Sequence, residues 1–379
     1  MVLLAANLRP ALTGVGPLVE QIRQATGLSL TEAGLLNSLP LLALGAFAPL
    51  AHLGRRLGME RTLVAALLLL CAGLLIRSHG SVEALFVGSA CLAAGIAIGN
   101  VLVPGIIKRD FPDRVRGMTT VYAITLGLTA AIASGLAVPL SALLPGGWRA
   151  ALAVWAIPAA VALLVWLPPA TLSASEPGTS RGSGAVSPWR SRLGWLVTAF
   201  MGLQSLMFYV TVAWFPTILQ GNGFSPAEAG LLMTLFQLVG LAVSAMMPAL
   251  LRRAKDQTRY ASAGSAAMAV SVVGILVLPQ AAYLWLTIMG LGGGACLTLA
   301  LAFISLRSAN HHEAASLSVM SQTVGYMVAA AGPIGFGLLH DATGSWSVPL
   351  VLLAAAGLLQ AFVGFGAGQD RTLAARPQS

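Results

Sequence analysis

Charged side chains are the scarcest class in this chain. Asp, Glu, Lys and Arg together supply 9% of 379 residues, where a water-facing domain carries about 25%. That scarcity excludes an ordinary soluble surface. Cysteine is also rare. Cys71, Cys91 and Cys296 all fall within apolar runs, so neither a disulfide framework nor a metal site is expected, and they read as small packing residues. The glycine-rich stretches GLGGGACLTLA and AAAGPIGFG lack a following Lys-Ser or Lys-Thr pair, which excludes a phosphate-binding loop and leaves close helix packing as their role. No charged segment or cleavage site precedes the first apolar run, so no removable signal peptide is expected. That run begins almost at Met1, an abrupt start that an upstream initiation site would explain.

What the chain has instead is apolar length. Hydrophobic residues make up 57% and the mean hydropathy is +0.84. A bilayer core takes about 20 apolar residues per helix, and only helices or closed barrels satisfy the backbone there. The runs lack strand alternation, so the expected fold class is an all-α membrane protein. Spans are expected near 1–24, 31–52, 62–77, 82–107, 116–144 and 147–168, then 193–220, 226–251, 259–279, 281–306, 313–340 and 346–367. Between the two sets, residues 169–192 are rich in Ser, Gly and Pro and read as a linker. The expected domains are thus a six-helix half at 1–168, a cytoplasmic linker at 169–192 and a second six-helix half at 193–379.

The net charge of +9 follows from topology rather than from a nucleic-acid partner. With both termini cytoplasmic, 17 of the 21 basic residues fall in cytoplasmic loops and tails. Only Arg23, Arg77 and Arg149 fall outside, and Arg9 falls within a span. The charged loop KRDFPDRVR at 108–116 serves either gating contacts or topology alone. Proton relays in transporters use buried Asp, Glu or His. Here the five Asp and seven Glu lie in loops or near helix ends, Glu20 being nearest to membrane depth, and none of the five His is at a clear midplane position. Proton symport through a dedicated carboxylate is therefore disfavoured against uniport, exchange or coupling through the solute's own charge. A membrane enzyme is disfavoured too, because it needs a buried catalytic cluster.

The chain also repeats itself. GLSLTEAGLLNSL at 27–39 matches GFSPAEAGLLMTL at 223–235 in eight of thirteen positions. Each copy places Ser three residues before Glu ahead of an apolar run, a capping box that starts a helix. The copies are 196 residues apart, and Trp148/Trp346 and Gly127/Gly325 recur at 198. Parallel halves about an axis along the membrane normal form a transporter architecture.

On NLRPALTGVGPL at 7–18, GNVLVPGIIKRDFP at 99–112 and LQSLMFYVTVAWFPTIL at 203–219, the chain resembles the cyanate and 2-nitroimidazole transporter branch of the major facilitator superfamily. The resemblance covers essentially the whole chain. It implies the superfamily fold of twelve transmembrane helices in two six-helix halves and a multi-pass protein of the bacterial inner membrane. The superfamily's Gly-x-Leu-Ala-Asp-Arg-x-Gly motif aligns with 51–58, where Arg55 replaces the acid, and the helix-4 Arg of many proton-coupled relatives aligns near Cys91.

Candidate substrate-binding residues follow from the cost of polar groups at membrane depth. Arg9 offers a planar fork of five donors suited to a carboxylate, nitro group or small anion. It competes with a bland reading in which Arg9 reaches the interface or pairs internally. Asn7 shares its helix, and Pro10 and Gly14 can open the local backbone. On helix 7, Gln204 and Tyr209 can bond a polar ligand while Tyr209 and Trp214 supply flat walls. Asn100, Tyr122, Gln237, Gln322 and Tyr326 are further candidates, with interhelical hydrogen bonding as the equal alternative. No catalytic residue, metal or cofactor is expected. The expected function is secondary active or facilitative transport, by alternating access, of a small polar or anionic solute. Cyanate-like anions and nitroimidazole-like heterocycles are what the resemblance implies. An efflux exporter of the same fold and a transporter-like receptor are the alternatives. A small-molecule substrate, the lipid bilayer, no nucleic acid and a monomer complete the expectation.

Overall fold

The computed structural model describes residues 2–47, 58–172, 187–251 and 256–373. Most of the expected linker, the degenerate motif at 51–57 and several of the expected cytoplasmic arginines lie outside the described residues. Among the described residues eleven helices are long and apolar enough to cross a membrane, and a shorter apolar helix makes the twelfth. They are α1 (Val2–Thr26), α2 (Leu30–Phe47), α3 (Met59–Arg77), α4 (Val82–Asp110), α5 (Val115–Leu143), α6 (Trp148–Pro168), α7 (Arg192–Gly221), α8 (Pro226–Leu251), α9 (Thr258–Val277), α10 (Ala282–Leu306), α11 (His311–Thr343) and α12 (Ser347–Ala367). The expected boundaries agree to within a few residues wherever the chain is described. The face carrying Val2 and Ala367 is called the terminal face below, and the other the opposite face.

Both capping boxes form. The Ser29 hydroxyl accepts from the Glu32 amide while the Glu32 carboxylate accepts from the Ser29 amide at 2.8 Å, and Ser225 and Glu228 repeat the exchange. The glycine that opens each repeat, Gly27 and Gly223, has a φ of 74° and 94°. That is a left-handed conformation that a side chain would strain, and it lets the chain reverse between helices.

α1 is the exception to regular helix. It divides into Val2–Ala5, Pro10–Thr13, a 3₁₀ turn at Gly16–Leu18, and Val19–Thr26. Pro10 and Pro17 have no amide hydrogen to give, and the turn at Asn7 and Leu8 tightens to bonds onto Leu4 and Ala5. In a bilayer the carbonyls so released need partners inside the protein. Ser134 on α5 donates to the Thr13 carbonyl at 3.1 Å, and Thr13 donates back to the Ala130 carbonyl at 3.0 Å. Arg77 on α3 donates to the Ala11 carbonyl at 2.8 Å.

The halves meet along α2–α11, α5–α8 and α1–α7. Toward the opposite face this seam is backbone against backbone. A Cβ on Gly34 would stand 2.3 Å from the Pro333 carbonyl oxygen, one on Gly337 2.2 Å from that of Leu30, and one on Gly16 2.0 Å from that of Val212. Asp341 closes the seam by accepting from the Thr31 amide at 2.8 Å and the Thr31 hydroxyl at 2.7 Å. Nearer the terminal face, Gly45 and Gly127 meet movable side-chain tips, those of Met327 and Leu241. The terminal face ties helices within each half: Arg109 at the end of α4 meets Glu60 of α3 at 2.6 Å, and Arg307, after α10, reaches the Ala367 carbonyl at 2.9 Å. These two arginines are 198 residues apart, the interval of the internal repeat.

Gly34→Val should hold the opposite face open, since overpacking a tight contact costs about 1–3 kcal/mol. A cysteine placed at Thr31 in that background should then react with a polar maleimide roughly tenfold faster than in the parent; an unchanged rate would show that this seam does not close the face.

Candidate functional site

The site grows from the break in α1. Arg9 stands at the start of the Pro10–Thr13 turn, where the chain leaves helical hydrogen bonding and its side chain is released toward the seam. Its Nη1 donates to the Tyr209 hydroxyl at 2.7 Å, a bond that crosses from the first half to the second. Tyr209 is 9% exposed, stands edge-on to Phe208 with ring centres 5.2 Å apart, and shares a small apolar cluster with Leu41, Ala97 and Tyr326. Tyr122 and Tyr326 lie close enough for their phenols to interact with the Arg9 charge. Tyr122 in turn donates to Asn100 Oδ1 at 3.0 Å. Among the described residues no carboxylate pairs with Arg9. The result is a half-buried cation bonded to Tyr209, with the phenols of Tyr122 and Tyr326 within electrostatic reach and most of its donors unspent.

The structure therefore brings together Arg9, Asn100, Tyr122, Tyr209 and Tyr326. It turns the other candidates elsewhere. Asn7 donates to the Leu3 carbonyl at 2.6 Å and to that of Pro158 at 3.1 Å, facing α6. Trp214 is fully buried, donates to the Pro333 carbonyl at 2.9 Å and stacks near Trp346, which makes it a strut between α7 and α11. Gln237 donates to the Ser134 hydroxyl at 2.8 Å and so belongs to the α5–α8 seam. Gln322 donates to Ser318 on its own helix, and Gln204 is buried beside Ser205. Glu20 pairs with Arg23 at 3.0 Å near the opposite face.

Sequence reasoning places in loops two arginines that the structure buries, Arg77 and Arg307, and Arg77 bears on the site. Arg77 ends α3 and reads as a loop residue, yet it is 1% exposed. Gly88 on α4 explains this, since a Cβ there would stand 2.2 Å from the Arg77 amide nitrogen, and the close approach covers the arginine. Its side chain runs inward and lines a cavity of about 20 Å³ with Thr13, Asn37, Ser89 and Tyr209, on the opposite-face side of Arg9. Gly73 and Gly88 are the signal that points to it: small residues on paired helices allow such an approach.

Comparison with known proteins places this arrangement. Residues 3–333 match the Major Facilitator Superfamily model. The chain is 45% identical to the 2-nitroimidazole transporter of Escherichia coli (strain K12), over 98% of this chain and 95% of that one. It is 31% identical to the cyanate transport protein CynX of the same organism, over 91% and 90% of the two chains. Its fold is similar to that of a bacterial homologue of the human lysosomal transporter Spinster, solved in an inward-facing, unoccupied conformation, with a TM-score of 0.82, 15% identity and coverage of 99% and 98%. The twelve helices in two repeated halves, the cation at their centre and these relatives agree: the chain is a multi-pass membrane transporter of small solutes, not an enzyme, and belongs to the major facilitator superfamily, in the branch of the 2-nitroimidazole and cyanate transporters.

Proposed function

We propose that this transporter carries a small anion or a flat, electron-rich heterocycle of the cyanate or nitroimidazole kind, bound at Arg9. The observation that carries the reading is the Arg9–Tyr209 bond, which joins the two halves at a cation that no carboxylate neutralises among the described residues. An oxygen of a nitro group or anion can take the unspent guanidinium donors in a bidentate fashion. Tyr122, Tyr209 and Tyr326 supply aromatic surface for a flat ring, and Asn100 supplies an amide already oriented by Tyr122. The relatives named for 2-nitroimidazole and cyanate support this chemistry.

The bodies that move are residues 1–168 and 193–379, joined by a linker at 169–192. The positive-inside distribution supports cytoplasmic termini in a bacterial inner membrane, so the terminal face is the inner one and the seam of Gly34, Gly337 and Asp341 closes the outer one. Alternating access then means parting that seam while the halves close below Arg9. The protein acts as a monomer with no nucleic-acid partner. Coupling runs through the solute's own gradient or charge.

Three measurements in proteoliposomes test this. Arg9→Gln should lower uptake of labelled cyanate or 2-nitroimidazole by about 100-fold, the order expected when a buried charged hydrogen bond to a ligand is lost, while the protein still inserts and purifies; parental uptake would sink the assignment. Tyr209→Phe, which keeps the ring and removes the hydroxyl, should cost roughly tenfold. Counterflow of 2-nitroimidazole with no pH gradient should proceed at the same rate with and without a protonophore, and collapse on adding it would instead implicate a proton, with Glu20 the first residue to replace.

A further inference from the structure

Among the described residues two arginines are almost wholly buried, and they are used differently. Arg307 spends its donors on protein: Nε on the Ala367 carbonyl at 2.9 Å, Nη2 on the Gly368 carbonyl at 3.0 Å and on Gln257, with Asp370 3.9 Å from Nη1. Arg77 spends one. Its Nη1 goes to the Ala11 carbonyl, while Nε and Nη2 are buried with no partner. A buried guanidinium with idle donors and no counter-charge is an unstable arrangement unless something else supplies acceptors. The cavity that Arg77 lines contains no acid; its polar lining is Thr13, Asn37, Ser89 and Tyr209. Thr13 is committed to the Ala130 carbonyl. Tyr209, which lines this cavity, is also the residue that holds Arg9.

We propose that Arg77 forms a second anion subsite, reached from Arg9 past Tyr209, that takes a monatomic or linear triatomic monovalent anion. At about 20 Å³ the cavity admits little more than a water-sized occupant. A chloride or the narrow rod of cyanate suits it, and a nitroimidazole ring does not. Arg77, whose Nε and Nη2 have no partner, lines the space the anion would take, and Ser89 borders it from α4. Two guanidiniums in series, one half-exposed and one buried nearer the opposite face, give a small anion two resting points where a heterocycle has one. The inference depends on the Arg9 reading for the idea of a path, and on the Arg77 cavity alone for the subsite.

The test is thermal unfolding of the full chain in detergent, with sodium chloride or cyanate exchanged for gluconate at constant ionic strength, and 2-nitroimidazole as the probe for Arg9. The parent should gain a few degrees with chloride or cyanate, and so should Arg9→Gln, while Arg77→Gln should lose that increment and keep its response to 2-nitroimidazole. A purely structural Arg77 would lower the midpoint equally in every salt. An Arg77→Gln protein that keeps the whole anion increment overturns the proposal, as does a parent that shows none. If Arg77→Gln does not fold, Ser89→Leu fills the cavity and leaves the bond to Ala11; retention of the increment in that variant overturns the proposal equally. Loss of the 2-nitroimidazole response is expected only in Arg9→Gln, and its survival there would sink the Arg9 assignment without touching Arg77. Flux of labelled anion into proteoliposomes separates a transported occupant from a resident one, since a resident ion leaves only 2-nitroimidazole uptake sensitive to chloride.

Discussion

The break in the first helix is the constraint around which the rest of the protein is arranged. Pro10 and Pro17 withhold two amide hydrogens within eight residues, and no water is available in a bilayer core to replace them. Two carbonyls of this stretch take a side chain from a neighbouring helix: Thr13 from Ser134 and Ala11 from Arg77. Gln237 then reaches Ser134 from the other half, so the repair of α1 is continuous with the contact between halves. The same break frees Arg9 from a regular helical face and lets it meet Tyr209. Irregular backbone at membrane depth is tolerated where it is buried in protein or lines a cavity, and here it does both.

The two halves share a shell and differ at the centre. Their capping boxes make the same hydrogen bonds, and Gly27 and Gly223 turn the chain by the same left-handed conformation. Arg109 and Arg307 stand one repeat apart at the terminal face, although Arg109 pairs with a carboxylate and Arg307 chiefly with carbonyls. At the middle the first half contributes Arg9, Asn100 and Tyr122, and the second contributes Tyr209 and Tyr326. The seam between the halves is tightest where glycines let backbones touch and is mediated by side chains elsewhere.

Much of this architecture is legible in the amino-acid sequence. Long apolar runs, Ser-x-x-Glu starts and the 196-residue repeat depend on local chemistry, and local chemistry can be read from a single chain. Arg9 stands out too, because a charge within an apolar run is costly at membrane depth, and a structural reading of it competes with the functional one. The aromatic and amide candidates are less so. Tyr122, Tyr209, Tyr326 and Asn100 gather at Arg9, whereas Asn7, Gln237 and Trp214 have the same chemistry and face α6, the seam and Pro333. In a helix that is apolar on every side, periodicity carries no record of which face meets the centre.

Sequence alone thus determined the class, the number of helices, the repeat and one central cation, because these follow from the cost of polar groups in hydrocarbon. The direction in which each polar side chain points was decided only by the packing of twelve helices. Arg77 shows the difference most clearly. Its place at the end of an apolar run says loop, yet the close approach of α3 and α4 at Gly88 covers it and turns it toward the Ala11 carbonyl. Burial at that position is a property of two helices together, and neither one encodes it by itself.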